Sequence, residues 1–442
     1  MAQETELKGK REGEAWQGDK STKLLKCSQD ATVHQRDYMN ETRNKIKNGE
    51  HLIFGDGPRE LIYSMGLQFV LHVFYGSLIA AKQMYGHYKE RLEQEDYYSD
   101  GCSYCAQPLG YLLDNKPEIA PWGGLPKPLA VMAEGTYTCD TIIKIFELYA
   151  KALNVPYYPL SLAHRVNIPS RWWEAQDGDS YMVDQWVKKY EGCASFLENL
   201  TGRSYNPTKL REFLYRGDQS CEVYWKACDL ACTTVPAPIS VSDVFANVSA
   251  YNYQQATEWG LKHAKRFYAE VKERVDKGEA AVPDERVRVM WADTVPIWFS
   301  LGFYNYWEES HGAVFIPRNY FDMAQRVIYR DRSDPLRALA LRRNLKYTFP
   351  SPTATAEYLI YTAKRFKVDG VIAPLNYSCR KPHQIFAAEA LERAGIPTMK
   401  IVYDPLNAAS WDDAKIKARV TSFIESITPA AKRRIAKGNQ ED

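Results

Sequence analysis

Short apolar runs alternate with helix-length amphipathic stretches at both ends of this chain, an alternation normally buried as parallel sheets with helices on their faces. HLIFGDGPRELIYSMGL reads as a strand, a Gly-rich turn and a helix, with Pro58 suited to the first helical turn. An apolar strand from Leu129, a loop carrying Cys139, the helical TIIKIFELYAKAL and the strand NVPYYPLSL follow. The alternation returns at Arg286 with the strand RVRVMWAD, the helical TVPIWFSLGFYNYWEESHG and the strand AVFIPRNY, Gly312 serving the turn between the last two. Next come AEYLIYTAKRFK as a helix, VDGVIAP as a strand, a loop with Cys379, the helix HQIFAAEALERAG, the strand IPTMKIVYD and the helix AKIKARVTSFIESI. Between the two blocks the period is helical. The pattern predicts an α/β chain: a polar arm (1–45), an N-terminal α/β lobe (46–167), a helical segment (168–285) and a C-terminal α/β lobe (286–442), with a site between the lobes.

Composition narrows the possibilities. A chain of 442 residues exceeds one small core, so two or three units of ~100 to 200 residues are expected. A net charge of +2 lacks the basic footprint of a nucleic-acid binder. The N-terminus is polar, without the apolar centre of a signal peptide, and the arm reads as mobile or wrapped on the surface with some helix. The longest apolar run, Leu67 to Ala81, carries His72, falls short of the ~20 residues needed to cross a bilayer and reads as a buried helix. Nine cysteines without an export signal favour a reducing cytoplasm over a disulfide framework. The tail AKRRIAKGNQED reads as a solvated end.

The chemistry-bearing residues are thiols. SDGCSYCAQPLGYLLD places Cys102 and Cys105 where a loop enters a helix, while Cys139 and Cys379 lie in loops that leave strands and precede helices. Loops at the carboxyl ends of strands collect ligands, and a helix N-terminus favours the thiolate. Structural zinc normally uses two close ligand pairs, and only one exists here. Three separated thiolates with one open position suit an iron-sulfur cube, though ordinary buried thiols have the same spacing. Cys221, Cys228 and Cys232 recur on one helix face and read as a packed stripe. The GDG turn after Phe54 offers backbone amides to a phosphate or thioester oxygen, or serves as a plain corner. No GxxxxGK[ST] loop and no helix-opening GxGxxG is present, so no nucleotide is expected on this chain and any strong reductant must come from another protein.

PRELIYSMG, CSYCAQPLG, CDT at Cys139 and DGVIAPLNYSC followed by AGIPTMKIVYD together resemble the 2-hydroxyacyl-CoA dehydratase and benzoyl-CoA reductase family. The likeness runs from about Leu52 to Ile427, and KARVTSFIES places Arg419 on a family arginine. The resemblance implies two Rossmann-like lobes and a 4Fe-4S cluster in the cleft, held by Cys102, Cys139 and Cys379, with Cys105 as rival or fourth ligand. Cys105 and Ala106 stand where members often carry arginine, and Arg59 replaces one carboxylate of the family's PEEL, leaving Glu60. It further implies an acyl-CoA thioester substrate, pairing with a paralogous cluster-binding subunit, and an ATP-hydrolysing activator with ferredoxin upstream. The arm, the length and the aromatic stretch with Trp298, Phe299, Tyr304 and Trp307 favour the larger catalytic subunit of an ATP-dependent benzoyl-CoA reductase, an oxidoreductase that reduces an aryl-CoA ring to a cyclic dienoyl-CoA by a radical route. Those four rings are candidates for a water-excluding wall. The alternatives are a 2-hydroxyacyl-CoA dehydratase subunit, a lyase forming enoyl-CoA through a ketyl radical, and a non-catalytic electron-relay subunit.

Overall fold

A computed structural model describes residues 22–97, 101–134, 140–162, 171–175, 178–252, 254–292, 299–317, 332–345, 351–376, 378 and 383–438. The chain opens with α1 (Lys26–Lys47), then β1 (Leu52–Gly55), α2 (Arg59–Ser64), β2 (Gln68–Leu71), α3 (His72–Ala81), α4 (Tyr85–Gln94), α5 (Ser103–Asp114), β3 (Ala130–Glu134), α6 (Asp140–Leu153) and β4 (Tyr157–Leu160). Four helices follow: α7 (Ser180–Thr201), α8 (Pro207–Thr233), α9 (Val241–Asn252) and α10 (Glu258–Asp276). The last stretch comprises β5 (Val287–Trp291), α11 (Asn305–His311), β6 (Ala313–Pro317), α12 (Pro335–Leu345), α13 (Pro352–Arg365), β7 (Gly370–Asn376), α14 (His383–Arg393), β8 (Thr398–Tyr403) and α15 (Asp413–Gly438).

Both sheets are four-stranded and parallel, with orders β2-β1-β3-β4 and β6-β5-β7-β8, so each has the same connectivity. The central strands LIFG, AVMAE and VRVMW are buried along their whole length, as expected of strands covered on both faces. The exception inside β5 is Arg288, which has no exposed surface. It pairs with Glu285 at 2.7 Å and donates to the carbonyls of Cys232 and Thr234, where a cation suits the end of α8. Order in each sheet reverses between β1 and β3, and between β5 and β7, which sets the ligand-binding crevice of such folds at those strands' carboxyl ends.

The structure departs from the sequence reading in several places. Leu67 to Ala81 is not one helix. Phe69, Val70 and Leu71 pair with Phe54 and its neighbours as β2, and the helix starts only at His72. In the described part of the aromatic stretch before Gly312, a 3-10 turn at Leu301–Tyr304 leads into the seven-residue α11, which Gly312 ends in the left-handed conformation. The arm supplies the packed helix α1, whose buried face, Cys27, Ala31 and Met39, follows helical spacing but uses too few large apolar residues to stand out. α15 runs on to Gly438, with Ile416, Val420, Ile424, Ile427 and Ala431 buried in one row. The GDG amides are already bonded internally: Asp56 N donates to the Met132 carbonyl at 2.9 Å and Gly57 N to the Asp56 side chain at 3.0 Å. Gly55 has φ +125°, and a Cβ there would lie 2.2 Å from the Met132 oxygen, so this turn is a tight corner where β1 leaves its parallel neighbour β3 rather than an anion cradle.

Arg343 of α12 lies 3.5 Å from the carboxylate of Glu134 at the end of β3, donates to the Glu134 carbonyl at 3.1 Å and stacks over Trp186. Replacing it (Arg343→Met) leaves a buried carboxylate without its cation. Urea unfolding should then show a loss of about 3–5 kcal/mol, and an unchanged midpoint would refute the pairing. Two buried imidazoles, His72 and His263, are pushed down to about 4, chiefly by burial. Each stays neutral in the fold while the unfolded chain protonates near 6.5. Stability is therefore full above that value and is lost as pH falls towards 4, by roughly 3 kcal/mol for each group. His72→Asn should flatten part of this loss in denaturation curves recorded between pH 7 and 4.

Candidate functional site

The first turn of α5 is the best-described part of the predicted thiol site. Cys102 is its N-cap residue and half-buried, and its carbonyl accepts the amides of Cys105 at 2.9 Å and Ala106 at 2.8 Å. The hydrogen bond from the Cys105 thiol, aided by the helix amides of Cys105 and Tyr104, holds the Cys102 thiol below its usual range, against burial and the negative charge of Asp404. The two cysteines of the motif thus differ in kind. Cys102 is the sulfur favoured as thiolate; Cys105 is buried among Phe54, Phe146 and Tyr149, and Tyr149 donates to its carbonyl at 2.5 Å.

The helix is aimed from both sides. Gly110 lets α5 cross α4 closely, since a Cβ there would lie 2.4 Å from the Tyr88 carbonyl oxygen. At its other end, Ser103 Oγ donates to Asp404 Oδ1 at 2.9 Å, tying the first turn to the residue that follows β8. Leu406, on the same loop, packs against Ala80, Tyr85 and Tyr104. The loop leaving the second sheet is in this way seated on helices of the first.

A second polar group, not anticipated from the sequence, gathers at the ends of β1 and β3. Glu60 pairs with Arg342 and accepts from Gln255 Nε2 at 3.0 Å, while the Cys221 thiol donates to Gln255 Oε1 at 3.2 Å. Beside it, Tyr190 donates to Glu134 at 2.6 Å. Glu134 at the end of an apolar strand and the adjacent Arg342 and Arg343 were the available signals, but nothing local says that such distant charges meet. Cys228 and Cys232 pack with Tyr224 and Ala231 in the hydrophobic core, as the stripe reading expected, whereas Cys221 turns to this polar group.

Cys139, Cys379 and Trp298 lie outside the described residues. The flanking elements are described. β3 ends at Glu134 and α6 begins at Asp140; β7 ends at Asn376, whose Oδ1 accepts both the amide and the hydroxyl of the buried Ser378. Among the described residues, no three His, Cys, Asp or Glu side chains are grouped to hold a metal ion. Tyr304 and Trp307 have no exposed surface and Phe299 has little. They interlock with Trp291, Phe303, Phe315 and Trp411 in the core behind the second sheet, and Trp307 Nε1 donates to Thr421. These rings pack in the hydrophobic core of the second sheet. Arg419 donates to the Lys400 carbonyl at 2.7 Å, fastening α15 to β8. No described helix is long and apolar enough to cross a membrane.

Known proteins share this layout in sequence. The α subunit of lactoyl-CoA dehydratase from Anaerotignum propionicum is 21% identical over 387 residues, which is 84% of this chain and 88% of that protein. The α subunit of (R)-2-hydroxyisocaproyl-CoA dehydratase from Clostridioides difficile is 18% identical over 372 residues, or 83% and 87% of the two chains. The profile of the family described as 2-hydroxyglutaryl-CoA dehydratase, D-component, matches residues 56–427. Because that match runs from the turn after β1 through both sheets into α15, the chain belongs to the 2-hydroxyglutaryl-CoA dehydratase D-component family.

Proposed function

We propose that this chain is the cluster-binding subunit of a 2-hydroxyacyl-CoA dehydratase, which removes water from a 2-hydroxyacyl thioester to give the enoyl-CoA. One observation carries the reading: the similarity to two dehydratase α subunits spans more than four-fifths of every chain involved. It favours the lyase alternative over the benzoyl-CoA reductase reading, for which the comparisons supply no relative. The α subunit names of the relatives support a heteromeric enzyme, in which a paralogous subunit and an ATP-hydrolysing activator are the expected partners.

The proposed ligands of a 4Fe-4S cluster are Cys102, Cys139 and Cys379. What supports the set is the chemistry of Cys102 and the placement of the other two. The first sulfur is favoured as thiolate at a helix N-terminus, and the others follow β3 and β7, the third strand in order within each sheet. A bound cluster of this type supplies single electrons at low potential. The protein's own part is to fix the sulfur and exclude water. Cys105 donates to Cys102 from an apolar interior, and the Ser103–Asp404 hydrogen bond holds the helix end in place.

Anaerobic preparations should contain about four iron and four sulfide per chain. Cys102→Ser, Cys139→Ser and Cys379→Ser should each lose that iron, while Cys105→Ser keeps it; full iron in the Cys139 and Cys379 variants sinks the ligand set. With partner subunit, activator and ATP present, chromatography of the thioesters should show enoyl-CoA formed from a 2-hydroxyacyl-CoA and benzoyl-CoA left intact. The reverse result would restore the aryl-CoA reductase.

A further inference from the structure

Asp404, the first residue after β8, is 1% exposed, and its two carboxylate oxygens are treated differently. Oδ1 accepts three hydrogen bonds, from Ser103 Oγ at 2.9 Å and from the amides of Leu406 at 2.8 Å and Asn407 at 3.2 Å. Oδ2 is shielded from solvent and accepts none among the described residues. The group cannot turn to relieve this. Its own amide donates to Ser410 Oγ at 3.0 Å, and Leu406 is wedged among Ala80, Tyr85 and Tyr104.

An acceptor left open in a dry interior is costly, and in native proteins it marks strain, an unseen partner or a catalytic role. Its surroundings choose among these. Ser103, which anchors Oδ1, is the neighbour of Cys102, and the charge of Asp404 reaches the Cys102 sulfur. Asp404 is therefore tied through Oδ1 to the residue next to the proposed cluster ligand, where the reacting end of the thioester is expected. A carboxylate oxygen takes only donors. A thioester carbonyl and an aromatic ring offer none, whereas a hydroxyl on the carbon next to the carbonyl offers one.

We propose that Asp404 Oδ2 accepts a hydrogen bond from the 2-hydroxyl group of the substrate, making Asp404 the residue that selects 2-hydroxyacyl thioesters over unsubstituted or aromatic ones. The assignment rests on the dehydratase reading above. It adds to that reading a named specificity residue on the loop after β8. A site built around such a donor rejects the analogue lacking it, because the buried acceptor is then left unmatched.

The test measures binding, without activator or ATP so that no turnover occurs, to the anaerobic complex of this chain with its partner subunit. Calorimetry would compare lactoyl-CoA with propionyl-CoA, and 2-hydroxyisocaproyl-CoA with isocaproyl-CoA. In at least one pair the hydroxylated thioester should bind roughly tenfold to a hundredfold more tightly, the worth of one hydrogen bond to a charged group. Asp404→Asn, which keeps the shape and an acceptor for Ser103, should reduce that ratio by about tenfold while affinity for the unsubstituted thioester stays within about twofold. Should that variant fail to fold, Asp404→Glu, which displaces the open oxygen, should also collapse the ratio. Equal affinities within both pairs for the wild type, or an intact ratio in the folded variants, overturn the role of Asp404 alone. Binding of benzoyl-CoA with no binding of any of the four aliphatic thioesters overturns the dehydratase reading and this assignment with it.

Discussion

A carboxylate taken out of water must find a partner, and here the carboxylates at the strand ends find theirs in the opposite half of the chain. Glu60 and Glu134, after β1 and within the end of β3, meet Arg342 and Arg343 of α12, which lies between β6 and β7 of the second sheet. Asp404, after β8, meets Ser103 at the start of α5, beside the first sheet. These exchanges run in both directions, so each sheet holds the functional loops of the other. Parallel sheets alone would fix only where each crevice lies. The buried polar contacts fix how the loops of one address the loops of the other.

That division explains what could be read from the sequence. LIFG, AVMAE and VRVMW are legible as strands because a strand covered on both faces must be apolar throughout, so the two parallel sheets follow from local composition. β2 was hidden because Phe69, Val70 and Leu71 run without a break into an apolar helix, and only pairing with β1 separates them. α9 is buried along its first seven residues and α12 is arginine-rich, so the helical period of each is weak. The thiol at the mouth of α5 was legible from its loop-to-helix position. The Glu60–Arg342 and Glu134–Arg343 pairs were not, since charges more than two hundred residues apart leave no local pattern. The unequal treatment of the two oxygens of Asp404 is likewise a property of the folded chain alone.

The two cysteines of CSYC show how one motif can hold two roles. Cys105 sits on the inward face of α5 and is part of the core; Cys102, three residues earlier, is the N-cap residue at the start of the helix. The core residue serves the half-buried one by donating to its sulfur. Packing thus separates the two thiols: Cys105 is seated among apolar neighbours of the core while Cys102 caps the helix.

The first helix bears on where this chain can be cut. α1 has no side-chain cap of its own, and the amides before and within its first turn are met from elsewhere: Leu24 and Leu25 donate to Asp243, and Cys27 to Glu270. Asp243 is wholly buried, with Glu308 close enough that burial and the Asp243 charge raise its carboxyl to about 7. An expression clone begun at β1, the tidy choice on a map of strands and helices, would strip those amides away. It would leave the buried Asp243 bonded to Ser240, and Glu270 to Arg266.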